Sequence, residues 1–408
     1  MANQAAAVDP RKTPEPDYDV LLELLKNTET AATADMKLVR VLGAGGQGQA
    51  SLWQKRGTRD LSSLRVIKIV RKGSTGHRRE KRMLQALKRY NHHHVVQFLG
   101  HFDQVPDVHH CIIRLEACWM DLWTLKKQSK KLNKDVPENF LWKLMIELSD
   151  VVAWLHEGDS SEAVAAGRWK AIIHRDIKPG NVLIWRDPTD PTEPDRMRIK
   201  LADFGCATYY DPDDIGNKGG TEHYQPPERV ENKNGTFAAD VWGIGATLHY
   251  MCNAASPFTG IIEDLDGRVL HHGRTVTRID ENPRIGPERS HRYSPDLNIV
   301  MFLCLQEDPD ERISAPDLYN YVCDNKDLAE YKSVNLEHYF SAIALLRSDN
   351  DVSSLTDVEA DQYTMMADDN EEDGEETDEE EQEEDKSLDE GELRERDSAH
   401  FLYPSGTV

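Results

Sequence analysis

The sequence predicts an α+β chain, with strands gathered in its first 116 residues and helices in most of the remainder. Three observations carry this. Residues 37–55, 65–70, 95–102 and 110–116 read as strands, and only 76–88 interrupts them with a helical pattern. Residues 140–155 and 237–251 are apolar nearly all round, as buried helices are. Between those helices, the apolar runs Ile172–Ile173 and Val182–Ile184 read as short buried strands that hold a polar loop rigid.

Each element can be justified from its own residues. Positions 1–17 are polar with three prolines, and disorder is expected there. Residues 18–26 carry a helical apolar pattern that suits an extra helix packed on the core. Residues 37–55 form two strands around a glycine turn, Gly43-Ala44-Gly45-Gly46-Gln47-Gly48. Glycines let a backbone close over phosphates without side-chain clash. A dinucleotide-binding turn would continue into a helix, whereas here a strand runs from Ala50 to Lys55. Strand 65–70 carries one lysine, Lys68. In helix 76–88, Met83, Leu84 and Leu87 line one face and Glu80 lies one turn before Leu84. His92-His93-His94 invites a metal reading, but adjacent histidines share no helical face and no carboxylate or thiol is spaced to help them. Pro137 fits the first turn of the first buried helix. Two segments, 157–170 and 187–195, look like surface insertions.

The loop at 174–181 holds the chemistry. His174-Arg175-Asp176-Ile177-Lys178-Pro179-Gly180-Asn181 puts a carboxylate, an ammonium and a carboxamide within six positions. A carboxylate can accept the proton of an attacking hydroxyl. An ammonium can neutralise a phosphate oxygen, and a carboxamide oxygen can ligate Mg²⁺. Phosphoryl transfer asks for positioning and charge neutralisation of this kind, with little covalent work by the protein.

The run resembles the catalytic loop of eukaryotic protein kinases, with Ile177 in place of the usual Leu. Lys178, two residues after the aspartate, resembles the serine/threonine branch. The resemblance covers about residues 38–340. It implies a two-lobe kinase fold: a small β-rich N-lobe (34–116) with one regulatory helix, and a larger, mostly helical C-lobe (117–346), preceded by an extension (1–33). ATP and Mg²⁺ are the cofactors it implies. Leu42, Gly43, Ala44, Gly45, Gly46, Gln47 and Gly48 would cover the nucleotide, with Ala50 where the family usually has Val. Lys68 would meet the phosphates and pair with Glu80. Leu115 would gate the adenine pocket, Glu116 and Cys118 would belong to the hinge, and Val66 and Leu183 would complete the nucleotide site. Asp176 would be the base or orienter and Lys178 would steady the γ-phosphate, with Thr221 bonded to both. Asn181 and Asp203 would hold the metal, with Phe204 packed beneath Asp203 and Gly205 allowing the turn. Glu228 would pair with Arg312, and Asp240 would fix the catalytic-loop backbone from a buried helix.

The implied activity is that of an ATP- and Mg-dependent protein serine/threonine kinase. A pseudokinase acting as a binding scaffold is the second reading, against which every position the chemistry needs is filled. A small-molecule kinase is disfavoured by the full activation segment, 219–228. The usual late phosphorylatable residue is absent before Thr221. Asp211, Asp213 and Asp214 read either as a solvated acidic loop, since surface ion pairs are worth little, or as a source of one carboxylate that pairs with Arg175 and orders the segment without a phosphate. Cys206 reads as a small buried residue rather than a reactive thiol. Gly180 and Tyr250 stand where an arginine-directed kinase of this family has acids, so no basic consensus is expected.

Charge and cysteine usage bound the rest. The net charge is −24, and residues 349–408 hold 24 acidic against 3 basic residues, leaving the remainder at −3. The segment 347–408 is expected to be an acidic, disordered, solvating tail; a sharper reading has it bind a basic partner or dock on the kinase's own basic helix (Arg78, Arg79, Lys81, Arg82). Nucleic acid is not an expected partner for such a chain, and nor is a membrane, since no run approaches about 18 apolar residues. Six scattered cysteines and no signal-like start suit free thiols in a reducing, intracellular setting, cytoplasm or nucleus.

Overall fold

Alternation along one strand decides how the first lobe is built. The computed structural model describes residues 18–27, 30, 32–45, 48–72, 75–103, 107, 109–159, 167–187, 197–213, 219–231, 235–263, 269–274, 293–327 and 333–350. These all fall in the first of two units, 1–352, and the acidic segment 353–408 forms the second. Helix α1 (Tyr18–Asn27) precedes strands β1 (Met36–Gly45), β2 (Gly48–Lys55) and β3 (Leu64–Arg71). Helix α2 (Thr75–Lys88) then leads to β4 (Phe98–Asp103) and β5 (His110–Glu116). The five strands form an antiparallel sheet in the order β1-β2-β3-β5-β4. Side chains alternate faces along β3. Ile67 and Ile69 join Trp53 and Ile112 in a cluster capped by Leu21, Leu22 and Leu25 of α1. Val66, Lys68 and Val70 therefore face the other way, where Met83, Leu84 and Leu87 of α2 bury into the main core. The period-2 pattern thus aims Lys68 at the helix that carries Glu80.

The chain continues through β6 (Met120–Asp121), α3 (Leu122–Lys131) and α4 (Glu138–Glu157). Short strands β7 (Ile172–Ile173), β8 (Val182–Trp185), β9 (Arg198–Leu201) and β10 (Thr208–Tyr209) come next. Helix α5 (Phe237–Asn253), the hairpin β11 (Phe258–Glu263) and β12 (Val269–Arg274), and helices α6 (Pro295–Cys304), α7 (Ala315–Asn325) and α8 (Leu336–Asn350) complete the described elements. Asp121 caps α3, its carboxylate accepting from Thr124 N at 2.6 Å, and Thr236 caps α5 in the same way. Helices α4 and α5 are buried on almost every side, as their unbroken apolar sequence requires.

The structure moves several expected boundaries. Pro137 does not enter the first turn of α4. It is the cap, with extended backbone, and the helix begins at Glu138. The strand expected from Val95 begins only at Phe98. Val95 instead bridges Leu201 of β9, and Val96 N donates to Leu201 O at 2.9 Å, so this stretch ties the two lobes together. Helix α8 runs to Asn350, into the segment assigned to the tail, because no Gly or Pro stops it sooner. In the histidine run, His92 stacks on Trp154 at 4.5 Å and His94 Nδ1 donates to Ile199 O at 2.9 Å. Packing also brings up the carboxylates the sequence did not show, Asp150 Oδ2 at 3.5 Å from His92 Nε2 and Glu147 Oε2 at 3.7 Å from His94 Nδ1. Burial pushes His92 down to about 3, which keeps it neutral. Gly46, Gln47, half of the first insertion and nearly all of the second, and the acidic tail beyond Asn350 with its expected docking on α2 lie outside the described residues. All six cysteines are free. Among the described residues no helix is long and apolar enough to cross a membrane.

Gly48, at the start of β2, has φ +123°, a conformation open in practice to glycine alone. A Cβ there would sit 2.2 Å from Ile69 O, which is backbone and cannot step aside. Gly48→Ala is therefore expected to cost about 1–3 kcal/mol. A drop in Tm of the full chain checks this, and an unchanged Tm would contradict the close approach of β2 to β3.

Candidate active site

The β7–β8 segment forms the floor of the site. His174 N and Arg175 N donate to the two oxygens of Asp240, at 2.8 and 2.7 Å, and His156 Nε2 meets the same carboxylate at 3.0 Å. Asp240 is 1% exposed, so these bonds are what make its burial tolerable. Arg175 has φ +64°, and the Asp240 anchor holds the loop in that uncommon conformation. His174 reaches forward, its Nε2 donating to Ala202 O at 3.0 Å, which orients the ring so that Nδ1 accepts from Asp176 N at 3.3 Å. Its ring also meets Phe204 edge-on at 4.9 Å.

Asp176 gathers four donors. Oδ1 accepts from Thr221 N at 2.9 Å and from Thr221 Oγ1 at 2.8 Å. Oδ2 accepts from Asn181 Nδ2 at 2.9 Å and lies 3.0 Å from Lys178 Nζ. Lys178 Nζ also donates to Thr221 Oγ1. Asn181 Nδ2 donates a second time, to Asp176 O at 2.8 Å, so the carboxamide points its oxygen the other way. Ala202 N donates to Asn181 O at 2.9 Å and links this group to Asp203.

Asp203 joins the lobes. It has φ +59°, and its carboxylate lies 3.1 Å from Lys68 Nζ. Lys68 Nζ in turn donates to both oxygens of Glu80, at 3.0 and 2.9 Å. Burial works against the Lys68 ammonium, but Asp203 and Glu80 outweigh it and hold its pKa above the ordinary value. Burial likewise opposes ionisation of Asp203, and Lys68 overrides it, with help from Lys178 and His174, so the carboxyl lies below its usual range. Burial raises the Glu80 carboxyl, with Lys68 opposing and Asp203 adding. Two ammonium contacts within 3.0 Å make the ion pair the state this geometry demands.

The other expected residues take varied places. Val66 and Leu115 pair across β3 and β5, Ala50 pairs with Lys68 across β2 and β3, and Leu183 lies half-buried on β8. Leu42, Gly43 and Ala44 are exposed on β1, and Gly45 ends that strand. Glu116 accepts from Gln97 N at 2.7 Å and pairs with Lys200 Nζ at 2.6 Å, so its side chain serves the junction between lobes. Burial pushes the thiol of Cys118 well up and that of Cys206 to about 11, which makes both poor nucleophiles at neutral pH. Phe204 is fully buried, and Gly205 N donates to Asp203 Oδ1 at 3.4 Å. Arg312 meets Glu228 in a bidentate pair, 2.7 and 3.0 Å, beneath the end of the activation segment. The Arg175 side chain donates from Nε to Cys206 O at 2.6 Å. Asp211 instead accepts from Asp213 N in an exposed turn, and Asp214 lies outside the described residues. Sequence reasoning missed His156 and Lys200, whose roles come from packing across more than 80 residues of chain.

A two-lobed α+β fold, with a lysine–glutamate–aspartate bridge between the lobes and an aspartate–lysine–asparagine loop below it, defines a phosphotransferase of the protein kinase type. Residues 36–322 match the family described as protein kinase domain. The chain belongs to that family, in its serine/threonine branch. It is 26% identical over 334 residues to mitogen-activated protein kinase kinase 2 of Arabidopsis thaliana, covering 79% of this chain and 81% of the other. It is 26% identical to serine/threonine-protein kinase Nek1 of Toxoplasma gondii, over 77% of this chain. It is 28% identical to the dual specificity mitogen-activated protein kinase kinase hemipterous of Drosophila melanogaster, over 70% of this chain. The matched regions span only 18% and 22% of the latter two proteins.

Proposed function

We propose that the chain transfers the γ-phosphoryl group of ATP to serine and threonine hydroxyls of protein substrates. The observation that carries this is the unbroken line of contacts from Glu80 through Lys68 to Asp203, then through Ala202 and Asn181 to Asp176. Asp203 and Asn181 offer a carboxylate and a carboxamide oxygen, hard donors that fit Mg²⁺. When bound, the ion would neutralise charge on the phosphates. Lys68 holds the α/β-phosphates and Glu80 holds Lys68. Asp176 orients the acceptor hydroxyl and takes its proton, and Lys178 neutralises the transferred group. The glycine turn covers the nucleotide, and Val66, Leu115 and Leu183 offer the apolar surface an adenine needs. The same line of intact groups argues against a pseudokinase.

Radiolabelled ATP with Mg²⁺ and mixed Ser, Thr and Tyr peptides tests the reading. Transfer to Ser or Thr that stops in EDTA is expected, and a purified chain that labels none of them would defeat it. Thr221→Ala should lower kcat about tenfold, the loss of one charge-assisted bond that positions Asp176. Thr221→Ser should restore most of it, and the KM for ATP should stay unchanged in both.

A further inference from the structure

Away from the cleft, three metal-ligating side chains converge behind α2. His77 Nε2 lies 3.1 Å from His101 Nε2 and 3.0 Å from Cys111 Sγ. The three ligating atoms lie within 4.8 Å of one another, and no other such cluster occurs among the described residues. Each comes from a different element: α2, β4 and β5. His77 is 7% exposed and Cys111 is fully buried, and the His101 side chain is 7% exposed.

Two features go beyond packing. A ring nitrogen carries one lone pair or one N–H, so His77 Nε2 has a single direction in which to bond. It faces two polar atoms near 3 Å, and a cation seated among the three would satisfy all of them at once. His101 also turns its other nitrogen, Nδ1, toward Asp103 Oδ2 at 3.6 Å. A carboxylate behind a ligating histidine is the usual device for fixing its ring. Asp103 is half exposed, which gives an ion a way in from solvent.

The donor set selects the ion. Two imidazoles and a thiolate suit Zn²⁺ and not Mg²⁺. Tetrahedral Zn–N and Zn–S bonds imply separations of about 3.3 Å between nitrogens and about 3.6 Å from nitrogen to sulfur. Seating the ion moves His77 Nε2 away from His101 Nε2 by about 0.2 Å and from Cys111 Sγ by about 0.6 Å, while His101 Nε2 and Cys111 Sγ, within 4.8 Å of each other, settle at about 3.6 Å. The Cys111 thiol gives its proton to solvent as the Zn–S bond forms, so the site becomes two neutral imidazoles and one thiolate.

We propose that His77, His101 and Cys111 form a zinc site, its fourth position held by water, that clasps α2 to β4 and β5. The position gives it a consequence for the kinase. His77 lies one turn from Glu80 on the same face of α2, and Glu80 holds Lys68. A clasp at His77 pins the helix with Glu80 engaged. None of the three ligands belongs to the group formed by Lys68, Asp203, Asn181 and Asp176, so this site is separate from the nucleotide cleft.

Cobalt titration of the metal-stripped full chain tests it, because only a cysteine ligand gives a thiolate-to-cobalt charge-transfer band. The nucleotide site offers oxygen donors and cannot produce that band. One equivalent of Co²⁺ should raise the band, Zn²⁺ should abolish it by displacement, and excess Mg²⁺ should not. Cys111→Ser and Cys111→Ala should both lose the band, while Cys304→Ser and His92→Gln keep it. His101→Gln should weaken Co²⁺ binding at least tenfold. Zn²⁺ should slow amide exchange across residues 75–88 in the parent and not in Cys111→Ala. A parent without the band, or a band that survives both Cys111 variants, overturns the proposal.

Discussion

Asp176→Asn is expected to lower kcat by about 10²–10⁴ while leaving the chain folded. The geometry explains both halves. The asparagine oxygen can still accept from Thr221 N and Oγ1, so the loop keeps that anchor. Its nitrogen then faces Asn181 Nδ2 and Lys178 Nζ, where donors meet donors. That mismatch costs about 1–3 kcal/mol and shows as a modest fall in Tm. The larger loss is chemical, since a carboxamide cannot take the hydroxyl proton. Asp240 and the β7–β8 frame are untouched, so the KM for ATP should change little. Steady-state phosphotransfer alongside thermal unfolding measures both effects. A variant within threefold of the parent would show that Asp176 does not take part in the rate-limiting chemistry.

The local chemistry is legible in the sequence because it lies within short spans. The loop from His174 to Asn181 is bracketed by apolar strands that any burial argument finds, and the glycine turn sits between two alternating runs. Family resemblance pairs Lys68 with Glu80, and strand alternation explains why the lysine faces α2. What the sequence hides are contacts set by packing across long chain separations. Asp240 reads as a support for the catalytic loop, yet its third partner, His156, lies 84 residues away and carries no local signal. Glu116 reads as hinge backbone, and its carboxylate binds Lys200. The histidine run stands out by composition and serves packing. The cluster that does converge takes His77, His101 and Cys111 from three separate elements, a spacing no motif encodes.

Lys68→Met should reduce kcat/KM by about 10² or more and should also make stability newly dependent on pH. The parent lysine stands between two carboxylates, Glu80 at 2.9 Å and Asp203 at 3.1 Å. Under the proposed function its removal takes the cation from the phosphates, and it leaves Glu80, 2% exposed, without its partner. Leaving a buried charge uncompensated costs about 3–5 kcal/mol. The carboxyl can escape that cost by taking up a proton. Burial and Asp203 both raise the Glu80 pKa, and the group that opposed them is gone, so in the variant it rises further above its ordinary value of 4.5. A carboxyl raised on folding binds its proton more tightly in the native state. The variant should therefore lie closest to the parent below the ordinary carboxylate pKa. It should lose stability relative to the parent as pH climbs from about 5 to about 8, by at most about 1.4 kcal/mol per pH unit. Adding Glu80→Gln to Lys68→Met removes the titrating group, so the double variant should lose the slope while staying inactive. Denaturant unfolding across that pH range measures it. A Lys68→Met chain whose stability gap to the parent stays flat would mean that Glu80 finds water or another partner once the lysine is gone, and that the bridge is not what holds α2 over the cleft.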